Sequence, residues 1–129
     1  MKRVSLLLVA TFVVFTLAAL KARQDLDPRI AAYDKGPAKI DVSKYPADMQ
    51  AKYKLFAKKC SGCHTLARAI NSDFVLADEW ERYVKRMMNK AGASVISPDE
   101  GKQIYEFLVY DSKTRRKDLY DRKLKEGPK

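Results

Sequence analysis

Histidine is nearly missing from this chain. A single one, His64, occurs in 129 residues, so no site built on two imidazoles can come from one copy. Cysteine is scarce as well. Cys60 and Cys63 are the only two, and with His64 they make three ligands where a closed structural zinc site takes four. No paired runs alternate between apolar and polar residues, so nothing in the pattern signals a sheet. Without a strand–helix–strand context, a thioredoxin-like reading of the cysteine pair has no support. No internal repeat is visible. Acidic residues are the minority, 16 against 26 Lys and Arg, but the surplus is too diffuse to mark a nucleic-acid surface, and no nucleic-acid partner is expected. No nucleophile, acid–base pair or substrate cleft can be named, so the chain does not read as an enzyme.

The N-terminus is set apart by composition. Met1-Lys2-Arg3 precedes an uncharged run of 17 residues, Val4 to Leu20, the layout of an export signal. As a helix it would span roughly 25 Å, a little short of a bilayer core. Small residues at Ala18, Ala19 and Ala22 offer a cleavage site, but Lys21 lies among them, which favours retention as an anchor. Residues 1–23 are therefore expected to be a signal peptide or an uncleaved membrane anchor, and the rest of the chain to be exported, at the periplasmic face of the inner membrane. Setting aside Lys2, Arg3, Lys21 and Arg23 leaves 22 basic against 16 acidic residues, a balance suited to docking an acidic partner or anionic lipid.

Residues 24–46 hold three of the five prolines and read as a linker and N-terminal wrap. Ala47 to Lys59 has Met49, Tyr53, Phe56 and Ala57 at helical spacing. Residues 65–77 read as an irregular loop. A helix follows from Asp78 to about Ala91, with Asp78 and Glu81 as a capping box, Trp80, Val84, Met87 and Met88 on one face, and Gly92 as its stop. The next begins at Ser97-Pro98-Asp99-Glu100, with Ser97 as cap and Ile104, Phe107 and Leu108 as its apolar stripe. Residues 111–129, with eight basic and four acidic side chains, are expected to form a basic C-terminal helix that packs loosely or frays. The fold class is all-α.

The densest chemistry is Cys60-Ser61-Gly62-Cys63-His64. This C-x-x-C-H spacing suits c-type haem attachment. Two thiols a short turn apart can form thioethers to the two vinyl groups on one edge of the macrocycle, and the adjacent imidazole then lies under the iron. A disulfide over so short a loop would stabilise little and would leave His64 unexplained. The expected cofactor is one haem c, bound covalently through Cys60 and Cys63, with His64 as the proximal axial ligand.

From about Met49 to Leu108 the chain resembles the small bacterial monohaem class I c-type cytochromes. The similarity lies in "LFAKKCSGCH", the tryptophan-bearing helix with its methionines, and "GKQIYEFLVY" as a closing helix. The resemblance implies a helical domain, residues 47–110, wrapped around the haem, with the helix before the motif crossing the last one so that Phe56 meets Ile104, Phe107 or Leu108. It also shows a departure. Many family members carry a proline soon after the motif whose carbonyl accepts the histidine Nδ1–H, and here there is none.

For the second axial ligand the methionines are four. Met1 belongs to the signal and Met49 precedes the motif, which leaves Met87 and Met88. Methionine opposite histidine raises the potential and suits electron transfer. Met87 shares a face with Trp80 and Val84, while Met88 is turned by about 100°, so Met87 is the expected distal ligand and Met88 the alternate. Arg68, Trp80 and Tyr83 are candidates to contact the haem. The expected function is single-electron transfer to redox partner proteins with an acidic docking surface, met by Arg115, Arg116, Lys117, Arg122, Lys123 and Lys125. The alternative is a five-coordinate haem enzyme or gas sensor, peroxidase-like.

Overall fold

The computed structural model describes residues 27–127. The expected anchor in residues 1–23 lies outside them. Among the described residues there are helices and no strands, so the protein is all-α. None of these helices is long and apolar enough to cross a membrane. The chain divides into two compact units at Ala32/Tyr33. Asp27 starts helix α1 (Pro28–Asp34), whose last two residues belong to the second unit: the Asp27 carboxylate accepts from the Arg29 N–H at 2.9 Å and pairs with the Arg29 guanidinium at 2.8 Å. Proline at the first helical position loses no hydrogen bond there.

In the second unit the core lies where α2 (Ala47–Cys60) crosses α5 (Pro98–Thr114). Phe56 and Phe107, both fully buried, stack with ring centroids 5.6 Å apart, and Tyr53 closes on Phe107 at 5.3 Å. This is the contact the family resemblance implies for Phe56. Removing each such ring from water contributes about 1.5–3 kcal/mol. Salt bridges flank the crossing: Lys52 meets Glu106 and Lys59 meets Glu100, each at 2.9 Å. The wrap before α2 is tied down. Tyr53 Oη accepts from the Ile40 N–H at 3.1 Å, and the Tyr45 hydroxyl donates to the buried Asp111 at 2.8 Å.

Helix α5 starts as its sequence predicts. The Ser97 hydroxyl accepts from the Glu100 N–H at 3.3 Å, and the Glu100 carboxylate accepts from the Ser97 N–H at 2.9 Å. It runs to Thr114, past the expected boundary at 110, because Asp111 and Ser112 are buried and satisfied by Tyr45, Arg115 and Trp80.

Helix α4 (Ala77–Ala91) packs on α5 and differs from expectation at its start. It begins one residue before Asp78, and the cap is Glu79. The Glu79 carboxylate accepts from the Val75 and Leu76 N–H groups, both at 2.9 Å. Asp78 and Glu81 instead pair along the exposed surface with Arg82 and Lys85. One carboxylate that satisfies two orphan donors outcompetes an exposed Asp. Gly92 ends the helix at φ 86° and donates to the Met88 carbonyl at 2.8 Å.

The expected loop over 65–77 contains a short helix, α3 (Ala67–Ile70). Thr65 Oγ1 accepts from the Ala67 N–H at 3.2 Å to start it, and the run of small residues lets Ala67, Ala69 and Ile70 bury completely or nearly so.

The C-terminal helix α6 (Lys117–Glu126) buries none of its side chains, in keeping with its sparse apolar residues. It is not loose, however. Lys123 pairs with Glu79 at 2.6 Å and donates to the Asp73 carbonyl at 2.6 Å, and Arg116, just ahead of the helix, donates to the Ser72 carbonyl.

Candidate functional site

The pentapeptide sits where α2 ends. Cys60 is the helix's last residue, half-buried against the core, and residues 61–64 turn away from it. Both sulfurs are free, with Cys63 exposed. Burial, with the neighbouring Cys63 adding to it, pushes the Cys60 thiol up to about 11, so it is held as a neutral thiol.

His64 finds a partner that its sequence context did not reveal. Its Nδ1 lies 2.9 Å from the Thr65 carbonyl. A carbonyl only accepts, so Nδ1 is the donor and the bond fixes the ring's orientation.

Across from Cys60 lies Tyr83 on α4. It is buried, and its hydroxyl has no hydrogen-bond partner. Phe74 and Trp80 stand edge-on to its ring at 5.8 and 5.6 Å, and the Arg86 guanidinium lies 5.7 Å from the ring centre. Burial first, and then Cys60, whose thiol ionises before the phenol does, push the Tyr83 hydroxyl up to about 12. A buried phenol left unpaired costs about 1–3 kcal/mol.

The other predicted contacts are committed elsewhere. Arg68 makes a two-point pair with Asp34, Nη2–Oδ2 at 2.6 Å and Nε–Oδ1 at 3.1 Å. That pair holds the Asp34 carboxyl below its usual value, with a smaller contribution from His64. The Trp80 indole N–H donates to the buried Ser112 hydroxyl at 2.8 Å. Its ring can line a site, but its N–H is already used.

Both methionines are half-buried and packed on the core. Met88 packs on Gly101 so closely that a Cβ there would overlap the sulfur, with Cε at 3.0 Å and Cγ at 3.4 Å. Met87 is half-buried at the edge of the core. It lies one turn beyond Tyr83 on α4.

Sequence reasoning missed Thr65, Asp34 and Glu79, and gave Lys123 a docking role only. Thr65 was legible only as a neighbour of the motif, and the Asp34–Arg68 and Glu79–Lys123 pairs span 34 and 44 residues, beyond the reach of local patterns. Among the described residues no group of three or more His, Cys, Asp and Glu side chains is gathered to hold a metal ion. No family model, curated protein or solved structure matches the chain. The reading of the site therefore rests on the residues themselves.

Proposed function

We propose that this chain is a monohaem c-type cytochrome, an electron carrier at the periplasmic face of the membrane and not an enzyme. The observation that carries the reading is the arrangement of the pentapeptide. Two free thiols flank a short turn, and beside them an imidazole has its Nδ1 proton fixed on the Thr65 carbonyl. The buried, partnerless Tyr83 hydroxyl next to Cys60 supports it independently.

Bound there, haem supplies a one-electron couple whose iron keeps its ligands in both oxidation states. Cys60 and Cys63 hold it by thioethers. His64 and Met87 are the residues that would hold its iron, Met88 being packed against Gly101. Tyr83 supplies a hydrogen bond at the cofactor's edge, Trp80 an apolar wall, and the Arg68–Asp34 pair a fixed dipole beside His64. Val4–Leu20 tethers or exports the domain.

Redox partners with an acidic surface dock on the basic face. On the C-terminal segment Arg115, Arg116 and Lys123 are tied within the fold and Lys117 to Asp121. The exposed Arg122 and Lys125 are left to meet a partner.

The test is mass and colour. The full chain, made with working haem-maturation machinery, should weigh one haem more than its amino acids and give a reduced-minus-oxidised spectrum of c type. A colourless protein of polypeptide mass ends the proposal.

A further inference from the structure

The start of α4 is held from three directions. From within, the Glu79 carboxylate caps it through the Val75 and Leu76 N–H groups. From α5, the Ser112 hydroxyl takes the Trp80 indole N–H. From the C-terminus come two cations. Lys123 donates to Glu79 Oε1 and to the Asp73 carbonyl, both at 2.6 Å, and Arg116 donates to the Ser72 carbonyl and, at 3.4 Å, to that of Phe74. Three successive carbonyls of the segment before α4 thus depend on residues more than 40 positions downstream.

These ties are not rim decoration. The Lys123 and Glu79 side chains are only 21% and 17% exposed. Ser72 is buried, and Phe74 stands edge-on to both Trp80 and Tyr83 at 5.8 Å. A shift of residues 72–76 would move Phe74, and with it the rings of Trp80 and of Tyr83, the second of which lies near Cys60. The helix they sit on carries Met87 one turn further on. A helix is stiff along its axis, so fixing its first turn fixes where its third turn lies.

We propose that the C-terminal helix is a clamp, with Lys123 and Arg116 as positioning residues that hold α4, and so Tyr83 and Met87, against the haem. This rests on the proposed haem reading and extends it: an unclamped α4 leaves the distal side of the iron open to exchange.

The test uses the full haem-loaded chain. Lys123→Met should lose at least half of the weak far-red ferric band of methionine–iron ligation. Its ferrous form should bind carbon monoxide at least tenfold faster, and the Val75 and Leu76 amides should exchange at least tenfold faster. Glu79→Gln, which keeps a capping oxygen and removes only the charge facing Lys123, should move all three in the same direction by less. Lys123→Arg should restore them. Lys117→Met, on the same helix but paired with Asp121, should change none. If Lys123→Met does not accumulate, Glu79→Gln carries the test alone. A normal band and carbon monoxide rate in the clamp variants, even with faster exchange or a lower melting point, overturns the proposal. A wild-type chain without haem overturns the functional reading instead, and its amide exchange still reports whether the clamp is there.

Discussion

Gly101 is the place where a single methyl group reads out the packing between α4 and α5. It is buried in the first turns of α5, and the Met88 side chain lies across it. Two effects oppose each other in Gly101→Ala. The added Cβ must push aside the flexible end of the half-buried Met88, which places the cost at the low end of overpacking, about 1 kcal/mol. Alanine in place of glycine inside a helix returns about 1 kcal/mol. The net expectation is a change close to zero. In a Met88→Ala background the obstruction is gone, and the same substitution should stabilise by about 1 kcal/mol. The two changes are thus coupled by about 1 kcal/mol, within the range seen for residues in contact. The assay is a double-mutant cycle of urea unfolding on the holoprotein, with slopes compared so that only midpoints are read. Additivity within about 0.5 kcal/mol would refute the packing argument, and with it the reason for assigning Met88 to the helix interface and Met87 to the iron.

Two other predictions follow from the same geometry. Met87→Ala should abolish the far-red ferric band and let the ferrous form bind carbon monoxide, whereas Met88→Ala should keep the band and lower only stability; the reverse pattern makes Met88 the ligand. The second concerns acid. Burial opposes ionisation of Glu79, but Lys123 and the Leu76 and Val75 N–H groups outweigh it, and the Ser97 N–H and Lys59 hold Glu100 low in the same way. Because these folded-state values lie below the unfolded ones, their contribution is complete above the ordinary carboxylate value of about 4 and is lost as pH falls through the lower folded values. Urea midpoints should therefore hold steady from neutral pH to about 5 and drop below about 4. Glu79→Gln should be less stable at neutral pH and show a shallower drop; an unchanged drop would remove Glu79 from this account.

What was legible in the sequence was what repeats locally. The apolar spacing of Phe56 and of Ile104, Phe107 and Leu108 marked the α2–α5 crossing. Ser97-Pro98-Asp99-Glu100 marked a helix start that the structure reproduces bond for bond. The start of α4 was misread because Asp78 was taken as the N-cap, whereas Glu79 in the first turn reaches back to the Val75 and Leu76 N–H groups. Lys123, 44 residues away, holds it there. The short helix at Ala67 was hidden for a related reason: four residues carry no period, and burial of small side chains leaves no apolar signature. At the site, residue types and spacing indicated Cys60, Cys63 and His64, but not that a backbone neighbour orients the imidazole. Nor did they show that Arg68 and Trp80, named as possible haem contacts, spend their donors on Asp34 and Ser112.

These misses share a physical origin. The core at the α2–α5 crossing is complete: Phe56, Ile104 and Phe107 are almost wholly removed from water. The flank beside Cys60 is less so. There Cys60 and Met87 are half-buried, and Tyr83 holds an unsatisfied hydroxyl. A helix facing such a flank cannot be fixed by apolar burial alone, which is non-directional and weak where surface stays open. Directional ties must do it, and α4 accordingly begins in a set of charged and polar bonds to distant residues. Local pattern specifies which residues are apolar, whereas these ties depend on which chain ends meet in space. The incompletely packed side is therefore both the best candidate for a cofactor and the part of the fold that a linear reading specifies least.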